Sequence, residues 1–402
     1  MNFRFWLLLA GVMVGYGVLM LANPVRDSLR DGFRCLRRYP ALWGTLAVFG
    51  VCYAAFHQVG LRLLEFQILP EGERPILQWA RAWYLPHAMQ WEAARNAFVP
   101  ALESVAGIFN NVITTFPFSA VAALLLLVNW KGHHLVLNRA LRRRFGPWGW
   151  VIYGGITVCA LAAILKPLAL YGGVPWLSRF IPGKWLLPPA FLIDWLSILF
   201  EYLFGVCVQI YLILLVDVWV LGIDFTPQHL LDFAIRRFSA VMKWAGAVLA
   251  ISSLTIYLPQ IVALLPPFTS RVNPYAMDAY VNHIARPAMA LFLIGLASVQ
   301  ITLTFHSESL RDAIRDHFRF ARRHASALTW FLLIALVHFY GFHFLNGILR
   351  AGLGEGTVSG LGWQLCAPLL EAFLAAWLLA AWVCWFKKTG SSRPHDKNWV
   401  AY

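Results

Sequence analysis

Charge is what this sequence has least of. Of 402 residues, 13% are Asp, Glu, Lys or Arg, while 60% are hydrophobic. A water-soluble chain of this length would wrap two or three cores in a charged surface, and there is too little charge here to make one. Cysteine is scarce as well. Cys35, Cys52, Cys159, Cys207, Cys366 and Cys384 are scattered and form no C-x-x-C pair, so they offer neither a disulfide framework nor a thiolate zinc site. No H-E-x-x-H, G-x-S-x-G or Walker-type glycine loop occurs. With no nucleophile in a recognisable pairing, the chain reads as non-enzymatic, with no catalytic residue, metal or cofactor.

What the sequence does have is length in its apolar runs. Crossing a bilayer takes about 20 apolar residues in a helix, and about nine runs approach that length, beginning near Phe5, Ala41, Thr115, Trp148, Phe200, Trp244, Ala288, Ala327 and Leu361. Runs such as 120–128 and 331–337 are continuously apolar and lack the alternation of a membrane β-strand. Only helices then satisfy the backbone in lipid. The expected fold is all-α: a polytopic transmembrane helical bundle.

The net charge of +14 is distributed as topology rather than as a nucleic-acid surface. Most Lys and Arg lie in the linkers after the first, third, fifth and seventh runs and in the tail, which the positive-inside rule places in the cytoplasm. The N-terminus is then outside and the C-terminus inside, as in a bacterial inner-membrane protein. After a first helix at 1–23, the chain divides into four hairpin units, 24–130, 131–222, 223–305 and 306–388, with a polar tail at 389–402. Each hairpin is preceded by a basic segment carrying an Arg-Arg pair: Arg37-Arg38, Arg142-Arg143, Arg236-Arg237 and Arg322-Arg323. Arg34, Arg139 and Arg319 stand three residues before three of these pairs, on the same helical face. Such amphipathic segments suit the inner headgroup layer, with guanidinium groups on the phosphates of anionic lipids. The segments around 28–38 and 309–323 look alike: each opens Ser-Leu-Arg-Asp and later reads Phe-Arg-x-x-Arg-Arg.

Ionisable groups inside the runs are the candidate functional residues. His57, His343, Glu371 and Glu201 fall in one layer, about 22–26 Å from the cytoplasmic ends of their helices at 1.5 Å per residue. They suggest a polar layer lining a groove, with His343 and Glu371 close enough in the last hairpin to pair. Asp217 and Lys166, near run ends, read as side chains that snorkel to the interface. The aromatic-rich stretch 62–111 reads as short helices on the membrane surface. Asn110, Asn111, Thr114 and Thr115 ahead of Pro117 suggest a broken, re-entrant element needing burial against protein. Two functions fit: lipid or solute handling through the polar groove, or a structural scaffold packing against partner helices, lipids or pigments.

Overall fold

The computed structural model describes residues 3–21, 23–40, 87–110, 145–168, 227–259, 274–307, 309–354 and 358–390, with isolated positions between 43 and 51, at 142 and through 192–219. The described chain is helical, without strands. Three of its helices are long and apolar enough to cross a membrane: Arg236–Ile256, Ala325–Leu353 and Ser359–Thr389. A bent pair, Val281–Gly295 with Val299–Phe305, makes a fourth if it is counted as one span.

The elements in order are α1 (Phe3–Leu21), α2 (Arg26–Arg38), α3 (His87–Asn110), α4 (Trp148–Leu168) and α5 (Pro227–Ser252). A π-helical turn at Ser253–Tyr257 follows α5, and another at Val281–Ala285 separates α6 (Pro274–Tyr280) from α7 (Arg286–Gly295). The rest are α8 (Val299–Phe305), α9 (Leu310–Arg323), α10 (Ala325–Leu353) and α11 (Val358–Gly390).

The joints have local causes. Asn23 closes α1 by donating its side-chain amide to the carbonyls of Leu19 and Met20, both at 2.8 Å, while its Oδ1 accepts the Val25 N–H ahead of α2. His324, at φ −119° and ψ 25°, leaves helical geometry and separates α9 from α10. Gly354 ends α10 at φ 72°, a left-handed conformation that glycine alone adopts cheaply.

α11 is the axis. Within its apolar window 72% of residues are buried, against 33% for the other two long helices. Lipid tails are as apolar as leucine, so close packing rather than water exclusion holds such a helix in place, and small residues permit it. Ala372, Ala375, Ala376, Ala380 and Ala381 are all buried on α11. Further along, Trp382 packs its ring on Phe109 (4.8 Å between centroids) and on Phe331 (5.4 Å), joining α3, α10 and α11.

Two expectations change. α3 does not lie on a surface: it is one helix whose Ala101, Leu102, Val105, Ala106 and Phe109 are buried against α10 and α7. α5 runs unbroken through Arg236 and Arg237 into its apolar part, so in the third unit the basic segment and the span are one helix. α2 does more than carry a basic face. It packs along α11, with the Trp377 indole donating to the Leu29 carbonyl at 2.9 Å and Lys388 on Asp31 at 2.5 Å. A Cβ at Gly32 would stand 2.6 Å from the Ala381 backbone nitrogen, so glycine is what lets these two helices meet.

Candidate functional site: a buried polar seam at a broken helix

Between α7 and α8 the chain turns through 44° at residues 296–298. A break inside apolar surroundings frees backbone donors and acceptors that lipid cannot satisfy, so it persists only where protein supplies partners. Two elements supply them. Asn110, at the end of α3, donates its amide to the Leu293 carbonyl at 2.5 Å and accepts the Trp244 indole N–H at 3.0 Å. His317, on α9, has its Nδ1 2.8 Å from the Ser298 hydroxyl and accepts the Ser298 backbone N–H at 3.4 Å. Burial pulls the His317 pKa below the usual imidazole range, and a hydrogen bond to the Gly295 backbone opposes that shift. A neutral ring is the form that can accept from Ser298.

The seam continues along α8 beside the described helical residues 209, 210 and 212–219. The Gln300 amide donates to Gln209 Oε1 at 2.7 Å, and the Gln209 amide donates to the Ile108 carbonyl at 2.7 Å. Gln300 is fully buried, and its own Oε1 has no hydrogen-bond partner among the described residues. Eight residues beyond Gln209 in sequence, Asp217 meets Lys387 from the end of α11 at 2.8 Å; their side chains are 0% and 5% exposed. The Lys387 ammonium also lies 3.7 Å from the centre of the Phe305 ring at the end of α8. Asp217 therefore does not snorkel. It is a buried carboxylate held by a cation from a helix far away in sequence.

Of the expected polar layer, His57 and Glu201 lie outside the described residues, as do Arg139 and Arg143; Lys166 falls in the last turn of α4. His343 sits 2.9 Å from the Ser104 hydroxyl of α3, with its ring against Phe342. Among the described residues no hydrogen bond or ion pair joins it to Glu371, which is half-buried on α11. Next to Ser104, Glu103 takes Arg286 in a two-pronged ion pair, 2.6 Å at each oxygen, at the exit of the second π-turn. The arginines Arg34, Arg37, Arg38, Arg142, Arg236, Arg319, Arg322 and Arg323 are exposed, and Arg237 is half-buried. No cluster of three or more His, Cys, Asp or Glu suited to a metal forms among the described residues.

Asn110 drew notice as part of a broken element ahead of Pro117, whose residues from 111 on lie outside the described ones; its partners here belong to a different break. Asp217, Lys387, Gln209, Gln300 and His317 were not singled out as site residues. The available signal was polar residues inside apolar runs, at 209, 217 and 300.

No known protein family, curated protein or solved structure matches the chain.

Proposed function

We propose that the chain is a non-enzymatic, multi-pass membrane transporter that moves a solute or amphiphile past the broken α7–α8 span. The observation that carries this reading is the break itself: 44° of bend, with its freed backbone groups taken by side chains of α3 and α9. Side-chain partners can be exchanged, whereas an unbroken helix has none to give up, and discontinuous helices are where many transporters bind their cargo. Ser298, Gln300, Asp217 and Lys387 supply buried polar groups at and beyond the break. A bacterial inner membrane, nine spans in four hairpins and a cytoplasmic C-terminus complete the proposal.

The test needs no substrate. In a chain freed of its native cysteines, Ser298→Cys and Gln300→Cys are each challenged in oriented membrane vesicles with a charged thiol reagent. Labelling of either position from one or both faces is expected, because a transport pathway must wet the seam. Protection from both faces, in a protein that still folds, would overturn transport. It would favour the scaffold reading, which the large aromatic side chains left exposed at Trp91, Trp148 and Trp150 also support.

A further inference from the structure

α2 and α9 share a register that covers their whole length. Residues 26–38 and 311–323, offset by 285 (311 − 26), both read Arg-Asp-x-x-Arg-Asp-x-Phe-Arg-x-x-Arg-Arg. The variable positions are the inward ones. In α2 they are Ser28, Leu29, Gly32, Cys35 and Leu36, all buried. In α9 they are Ala313, His317 and Phe320, buried, with Ile314 and Ala321 half-buried. Every identical position is exposed except the two aspartates Asp31 and Asp316, which are half-buried and hold Arg34 and Arg319 at 3.2 Å in both helices.

Packing constrains a buried face, and here the two buried faces differ because they meet different neighbours. Gly32 admits Ala381; its counterpart His317 reaches Ser298. Nothing in the fold requires the outer faces to agree letter for letter. A common ligand does. Orientation alone does not need this many arginines either, since residues 225–237, in the same register before the third Arg-Arg pair, carry no other basic residue than His229.

We infer that the outer faces of α2 and α9 are two equivalent binding sites for the headgroups of anionic phospholipids. Each face carries five arginines against two aspartates, and one of its aspartates is already engaged by its own arginine. Each also exposes a phenylalanine among the charges, Phe33 at 51% and Phe318 at 61%. In water an exposed ring is a cost; at the headgroup–acyl boundary it is buried while the guanidinium groups take phosphate. A single residue separates Arg323 from the start of α10, a candidate span, which puts this face where lipid phosphates are. A soluble acidic protein would meet the same charge but has no use for a ring at the membrane boundary.

The full chain is purified, given equal parts phosphatidylglycerol and phosphatidylcholine, and weighed with its bound lipid by native mass spectrometry. Wild type is expected to retain two phosphatidylglycerol molecules beyond its phosphatidylcholine count. Arg30→Gln/Arg34→Gln/Arg37→Gln and Arg315→Gln/Arg319→Gln/Arg322→Gln should each lose one, and the combination both. Arg236→Gln/Arg237→Gln should lose none. Equal retention of the two lipids by wild type overturns the proposal without reference to any variant. So does an unchanged count in the triple variants, or displacement of the lipid by polyglutamate at low concentration, which would point to an acidic protein instead.

Discussion

Lys387→Met breaks the most buried ion pair among the described residues. The ion pair with Asp217 spans 2.8 Å, with 5% and 0% of the two side chains exposed. At that distance an effective dielectric of about 20 gives about 6 kcal/mol of attraction, and desolvating each ion costs several kcal/mol in return. The pair as a whole is therefore worth little against a well-packed apolar replacement. Losing one partner is different: Asp217 would remain desolvated without the Lys387 ammonium, at a cost of about 3–5 kcal/mol. Asp217→Leu strands the ammonium instead, but the Phe305 ring 3.7 Å away still faces it, an attraction of about 2 kcal/mol for a desolvated cation. That variant should fall at the lower end of the range. The double variant Asp217→Leu/Lys387→Met should return to within about 1.5 kcal/mol of wild type. Unfolding in mixed micelles, followed by tryptophan fluorescence, gives the three differences and the coupling energy of the cycle. The deficits should not change between low and high salt, because a buried pair is not screened. Single variants that each cost under about 1 kcal/mol and simply add would refute the reasoning.

Gly32→Ala places a methyl group 2.6 Å from the Ala381 nitrogen and 2.8 Å from its Cα, backbone that cannot swing away, so a loss of about 1–3 kcal/mol is expected. With α2 displaced, Cys35, whose thiol burial now pushes up to about 12, should begin to react with a small maleimide; a silent Cys35 would count against the close approach. Asn110→Ala leaves the Trp244 indole N–H buried without its partner, about 1–3 kcal/mol, while the Leu293 carbonyl keeps the Leu296 N–H at 3.2 Å. Adding Trp244→Phe should cost less than it does in wild type, because the orphaned donor goes with it. For His317 the folded pKa lies below the ordinary value of about 6.5. As pH falls through the ordinary value the unfolded chain takes up a proton that the folded one refuses, so stability is full above it and declines below. Melting temperatures recorded across that window should show the decline in wild type and a flatter profile in His317→Gln.

The apolar runs announced α10 and α11 because nothing in them competes with the helical reading. The joints were equally plain at Asn23, whose short amide bonds the backbone on both sides, and at Gly354, where the backbone needs a positive φ. α3 was harder for a physical reason. Its Glu103 and Ser104 look like residues that want water, and a window of sequence cannot see that Arg286 and His343 wait for them inside the bundle. The same blindness put Asp217 at the interface. A charge near the end of an apolar run snorkels unless a partner comes to it, and here the partner arrives from the last helix.

The resemblance between the first and fourth basic segments was visible, yet the shared Ser-Leu-Arg-Asp suggested pairing Ser28 with Ser309, which leaves extra residues before the Phe-Arg motif. The whole length of the helix resolves it. Pairing Arg26 with Arg311 makes eight of the thirteen positions of α2 identical without a gap, whereas the four-residue slip, close to one helical turn and so nearly neutral for which face is buried, makes only six identical. Ser309 then falls where Pro24 stands, before the helix, and is the N-cap of α9. A capping serine and an internal serine were mistaken for each other because both precede Leu-Arg-Asp. Four matching letters at the start chose the wrong register; identity along the whole helix chose the right one, and only in that register does the sameness of the two outer faces come into view.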